Sequence, residues 1–248
     1  MKLATNIIGS QIVESLGELI APTRCVGCER QGVLLCSECL ASLSRDYVLG
    51  QACPKCAGPY GALTCTECWE IEYSFEAALA LGILDGSLAR AVVLFKDANE
   101  RRLAGLFGII LAQRIRTSWS NWTDAVCWIP ATKEAIRRRG FDHAELLAGC
   151  VARHLRVPAL SLLSRPHAHD QRSRSRKQRL QGAQQFMCAG HTLPNHNSKH
   201  ASQVPALPQR ILLVDDVFTT GATVDAASQA LLSAGAQQVR VAVLGRAW

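Results

Sequence analysis

Long apolar runs are missing from this chain of 248 residues. No stretch approaches the roughly 18 consecutive apolar positions that a membrane-spanning helix needs, so no span is expected. A secretory leader is not expected either, because Glu14 and Glu18 interrupt the apolar positions after Lys2. Residues 1–21 instead carry Ile8, Ile12, Leu16, Leu19 and Ile20 at helical spacing, and an N-terminal helix laid on the body is expected there. Nothing stands out as a nucleophilic side chain, which argues against covalent catalysis, and no catalytic residue is assigned. His191, His196 and His200 match no metal-ligand spacing, so the polar, proline-containing segment around them reads as an inserted loop at 187–208.

What is there in quantity is apolar: 48% of the residues, enough for a medium domain with a sizeable core and an appendage. Net charge is +7, a bias that suits phosphate-bearing ligands or nucleic acid. The charge is concentrated between Arg165 and Arg179, where five arginines and one lysine occur without apolar periodicity. A solvated loop, a hood whose arginines bind pyrophosphate and a path for a nucleic-acid backbone all fit that composition. No aromatic is interleaved with these charges, so base stacking is not signalled.

The most informative stretch is 211–223, Ile-Leu-Leu-Val-Asp-Asp-Val-Phe-Thr-Thr-Gly-Ala-Thr. Four apolar residues, 211–214, predict a strand buried on both faces, as in a parallel sheet. From Val224 onward, Ala227, Leu231 and Ala234 recur at helical spacing, and Gly235 stands where a left-handed cap closes a helix. Between strand and helix, a turn over 215–223 offers small residues, hydroxyls and the amides of a helix N-terminus, which together make a phosphate cradle. The two carboxylates before it would repel phosphate but accept hydrogen bonds from sugar hydroxyls. Acids followed by a phosphate loop predict a ribose 5-phosphate site.

Eight of the eleven cysteines fall into four Cys-x2-Cys pairs: Cys25/Cys28, Cys36/Cys39, Cys53/Cys56 and Cys65/Cys68. A two-residue spacer lets both thiolates face one tetrahedral ion, and four thiolates close a structural zinc site. Seven residues separate the first two pairs and eight the last two, a tandem repeat that favours two sequential sites. Spacing alone leaves cross-braced pairing open. Disulfides are disfavoured without a leader, and reduced thiolates suit the cytoplasm, the expected location. Cys127 and Cys150 read as core residues.

Further along, residues 87–95 and 102–115 read as helices joined around Lys96-Asp97-Ala98-Asn99-Glu100. Strands are expected at 125–129 (the first inner strand), 157–163, 210–214 and 239–244, with a helix at 141–154. Alternation of this kind gives a parallel α/β sheet with ligands beyond the strand C-termini.

The 211–223 stretch resembles the signature of type I phosphoribosyltransferases, which bind 5-phosphoribosyl 1-pyrophosphate (PRPP). A cysteine-rich head before that signature resembles the ComF family of competence-associated proteins. So do Cys53-Pro54-x-Cys56-x-Gly58 and residues 130–148 with their Arg139-Gly140-Phe141 core. The resemblance implies an α/β, parallel-sheet type I phosphoribosyltransferase fold with an N-terminal double zinc ribbon. The ribbon is expected at 22–72 and the transferase-like domain at 73–248. Asp215 and Asp216 would hold the ribose hydroxyls, and Thr219, Thr220, Gly221, Ala222 and Thr223 would wrap the 5-phosphate. Residues 130–133 would face the pyrophosphate, with Lys133 supplying a cation. The implied cofactors are about two structural Zn2+ and Mg2+ on PRPP. Beyond PRPP, the implied partners are single-stranded DNA and competence or recombination proteins. The expected reaction is phosphoribosyl transfer with release of pyrophosphate; a DNA-binding accessory in which PRPP is regulatory or vestigial is the alternative. Asp142-His143 departs from the family's usual Asn-Gln and adds a negative charge beside the expected pyrophosphate region.

Overall fold

A computed structural model describes residues 22–45, 52–60, 63–165, 186–188 and 207–248. The expected N-terminal helix at 1–21, most of the arginine-rich stretch and most of the inserted loop lie outside the described residues. The elements are α1 (Ser37–Arg45), β1 (Ala77–Ile83), α2 (Gly86–Asp97), α3 (Leu103–Ser118), β2 (Ala125–Trp128), α4 (Lys133–Arg139) and α5 (His143–Leu155). They continue with β3 (Leu163–Ser164), β4 (Met187–Cys188), β5 (Arg210–Phe218), α6 (Ala222–Ser233) and β6 (Gln238–Arg246).

Four strands form one parallel sheet in the order β1-β6-β5-β2. Its central strands are apolar on both faces because both faces are covered. Leu212, Val214, Ala242 and Leu244 pack against α2, α3 and α5. On the opposite face, Ile211, Leu213, Val241 and Val243 meet α6 and the second group of four cysteines. Close approach of α3 to α5 depends on Gly108, where a Cβ would lie 2.5 Å from the Cβ of Cys150. No described helix is long and apolar enough to cross a membrane.

Strand alternation with helices is as the sequence predicts, but four details differ. β1 has no counterpart in the sequence reading: Ala-Ala-Leu-Ala-Leu-Gly-Ile is rich in helix-forming alanine, and pairing with β6 overrides that preference. Residues 157–163 are not a strand of the main sheet. They give one bridge, Ala159 to Val126, before Leu163–Ser164 pairs antiparallel with Met187–Cys188 at the start of the expected inserted loop. β2 is an edge of the four-stranded sheet, not an inner strand. β5 runs on past Val214 to Phe218, so the two acids belong to the strand rather than to a turn.

Candidate functional site

Alternation along β5 sends its two acids to different surroundings. Asp215 is half-buried, whereas Asp216 is 5% exposed and points at the helices covering that face. Its Oδ2 lies 2.5 Å from Lys96 Nζ on α2 and 3.2 Å from His143 Nε2 on α5. Neither contact is a well-aligned hydrogen bond, and the Lys96 ammonium supplies the charge that balances the oxygen. Burial would raise the Asp216 carboxyl, but His143 and the Lys96 ammonium hold it well below the usual carboxylate range. Asp215 goes the other way, raised by burial and then by the charge of Asp216. The pair is therefore split into one ionised acid and one that keeps its proton more readily.

His143, Asp215 and Asp216 place ligand atoms within 4.8 Å of one another, close enough to hold a metal ion. The Lys96 ammonium already stands where such an ion would balance Asp216. Asp216 is thereby charge-balanced from within the protein.

After Phe218 the chain passes Thr219 and Thr220, both exposed, and turns into α6 at Gly221. Gly221 has φ +83, and a Cβ there would meet the Phe218 ring at 2.7 Å and the Tyr73 ring at 2.9 Å. Glycine is required by the left-handed backbone and by two aromatic rings, beyond any need to admit a phosphate. Gly221 has no side chain to cap α6, and the first helical amide, Ala222 N, donates to Thr220 Oγ1 at 3.4 Å, at the positive end of the helix dipole. The loop is braced from outside. Tyr73 donates its hydroxyl to the Thr220 carbonyl at 3.2 Å, and buried Arg246 donates to the Thr219 carbonyl at 2.6 Å. Beside it lies a cavity of about 530 Å³, walled by Tyr73, Thr219, Thr220, Arg246 and Trp248.

The second expected loop lies alongside. Trp128 is level with Val214, so residues 130–133 leave the sheet next to the acids. Thr132 caps α4 by accepting from Ala135 N, and Lys133 is exposed at the helix start. Asp142 stands beside this loop, where the sequence places its charge. One of its oxygens accepts from Ala131 N at 2.8 Å, and the other caps α5 by accepting from Ala144 and Glu145. Arg165, the described end of the arginine-rich stretch, donates Nε to the Pro130 carbonyl at 2.6 Å.

The sequence missed Lys96, Asp97 and the part played by Arg139. Asp97 pairs with Arg139 at 3.0 Å and more loosely with Arg138 at 3.7 Å. An adjacent Lys-Asp pair at the end of an amphipathic helix was the available signal, but their partners are distant in sequence.

The cysteines gather as two sequential groups, Cys25, Cys28, Cys36, Cys39 and Cys53, Cys56, Cys65, Cys68, with the sulfurs of each group within 4.8 Å. Cross-braced pairing is thereby excluded. Zinc bound to four thiolates at about 2.3 Å implies sulfur–sulfur edges of about 3.8 Å. Cys28 to Cys36 and Cys56 to Cys65 are each 3.7 Å. Backbone amides of Cys36 and Cys65 donate to Cys25 and Cys53 at 3.3 Å, as thiolates require. Burial would raise Cys25, yet the neighbouring amides of Cys36, Cys28 and Gly27 bring it down to about 6. Both groups could bind zinc. Cys127 and Cys150 are core residues, as the sequence suggests.

A family described as the phosphoribosyl transferase domain matches residues 143–247, which include both acids and the whole loop before α6. Along most of its length the chain is similar to Competence protein F of Haemophilus influenzae, 28% identical over 231 residues, 90% of each chain. It is also similar to the DNA utilization protein YhgH of Escherichia coli K12, 24% identical over 218 residues, 86% of this chain and 90% of the relative. Competence protein ComFC of Streptococcus pneumoniae is 25% identical over 214 residues, 86% and 87% of the two chains.

Proposed function

We infer that the chain is a ComF-family protein, from the phosphoribosyl transferase domain match over residues 143–247 and its similarity to competence proteins along most of its length. On that premise we propose that it binds PRPP at the C-terminal end of β5 and transfers the phosphoribosyl group to an acceptor, in the service of DNA uptake. One observation carries the reading. An acid pair at the end of a buried strand is followed at once by a hydroxyl-bearing loop and a helix N-terminus, reached through Gly221 at φ +83.

In this reading Asp215 and the free edge of Asp216 accept the ribose hydroxyls. The hydroxyls of Thr219, Thr220 and Thr223, with the first amides of α6 from Ala222 onward, receive the 5-phosphate. Residues 130–133 face the pyrophosphate with Lys133 as the cation. Mg2+, carried on the phosphates of PRPP, would stabilise the charge of the departing group. The acceptor forms its bond to C1 as the bond to pyrophosphate breaks, and pyrophosphate leaves with the electron pair. The protein's share is to orient the sugar and stabilise charge, for which no nucleophilic side chain is needed.

A domain division follows the same reading: a double zinc ribbon at 22–72, the transferase-like body at 73–248, and a cytoplasmic setting that keeps the thiols reduced. A second reading, single-stranded DNA binding with PRPP as a regulator, is favoured by the similarity to competence and DNA utilization proteins and by the arginines from 165 to 179. One assay separates them. Purified protein with PRPP and Mg2+ should release pyrophosphate when an acceptor is supplied. Binding of PRPP without release, together with salt-sensitive binding of single strands, would favour the second reading.

A further inference from the structure

Five side chains close a ring around the acid that the signature places at the sugar. Lys96 contacts Asp216 Oδ2 at 2.5 Å, and His143 Nε2 contacts the same oxygen at 3.2 Å. His143 Nδ1 faces Arg139 Nη1 at 3.2 Å, and Arg139 pairs with Asp97 at 3.0 Å. Asp97 follows Lys96 in the chain, so the circuit returns to its start through one peptide bond. It ties together the end of α2, the end of α4, the start of α5 and β5.

The geometry fixes the histidine's tautomer. A guanidinium can only donate, so Nδ1 must accept from Arg139 and carry no proton. The imidazole proton then sits on Nε2 and faces Asp216. Phe95 lies edge-on to the ring, 6.2 Å between centroids, and helps hold its plane. With Oδ2 occupied from two sides, Asp216 has one oxygen, Oδ1, left to offer.

We propose that this ring is the positioning framework of the sugar site, and that Lys96 is the residue that sets Asp216 for it. The proposal rests on the PRPP reading. Lys96 lies on α2, outside both the signature and the matched domain, and acts through Asp216 rather than by touching the chemistry. Arg139 ends the helix that follows residues 130–133, so the same ring links the pyrophosphate side of the site to the sugar side.

The test uses the full-length protein in two experiments. Nitrogen-15 imidazole spectra, with His143→Gln identifying the signal, should show His143 as the Nε2–H tautomer. Calorimetric titration with PRPP and Mg2+ should show Lys96→Met binding at least about tenfold more weakly than wild type, with Lys96→Arg restoring most of the loss. A purely structural lysine would not distinguish methionine from arginine at equal thermal stability. Wild type that binds PRPP, with Lys96→Met binding equally well, overturns the proposal. So does an Nδ1–H or doubly protonated His143. Wild type that binds no PRPP overturns the parent reading instead, and the tautomer then decides whether the ring exists.

Discussion

Two residues of the candidate site are constrained in ways that an experiment can separate. Gly221 combines φ +83 with rings at 2.7 and 2.9 Å from any Cβ. Gly221→Ala should cost about 1–2 kcal/mol for the left-handed backbone alone, with the ring clash added, and Gly221→Val should cost more. Urea unfolding measures both, and an alanine variant as stable as wild type would show that the turn relaxes freely. Asp215 supplies a pH test. Burial and the charge of Asp216 hold its carboxyl well above the usual range, so the folded protein keeps a proton that the unfolded chain releases near its ordinary value of about 3.9. Its contribution to stability is full below that value and is lost as pH rises through the folded-state value. Asp215→Asn removes this titration, so the variant should gain on wild type as pH rises through that window. Stability curves that stay parallel across it would contradict the assignment.

At the scale of elements, the two cysteine groups have different neighbours. Cys53, Cys56, Cys65 and Cys68 are part of the core cluster that includes Ala78, Ala80, Val241 and Val243, and the Pro54 carbonyl accepts from Ala78 N at 2.8 Å. The first group is a small cluster with Leu35. Cys56→Ser should therefore loosen the β1–β6 edge as well as its own metal site, whereas Cys28→Ser should disturb only the outer ribbon. Hydrogen exchange at β1 amides, together with zinc content falling from about two to about one per chain, reads both effects. Equal protection of β1 in the two variants would contradict the packing. The same contrast marks how far the sequence could be read. Cys-x2-Cys spacing and the apolar run at 211–214 are local signals, and the helices at 86–97 and 103–118 follow from local periodicity. β1 is invisible because its alanines become a strand only through pairing with β6. Residues 157–163 are apolar enough for a strand, but all except one bridge is left outside the sheet. The Lys96–Asp216 contact joins positions far apart in the chain, so neither residue announces the other.

The whole molecule gathers its candidate site at the C-terminal end of a four-stranded sheet: the two acids and the loop before α6 from β5, the neighbouring loop from β2, and a polar ring from three helices behind them. The second cysteine group sits against the opposite face and reaches the loop through Tyr73 and the cavity beside Thr219. The central claim is that residues 215–223 bind PRPP. Calorimetric titration with PRPP and Mg2+ of wild type and of Asp215→Ala tests it most directly, because Asp215 is half-buried and its removal leaves the Lys96–Asp216–His143 contacts in place. Asp215 is the acid that keeps its proton, and losing a hydrogen bond between neutral groups costs about 0.5–1.5 kcal/mol, so the variant should bind roughly twofold to tenfold more weakly than a wild type that binds readily. A wild type that takes up no PRPP, or a variant that binds as tightly, would contradict the account.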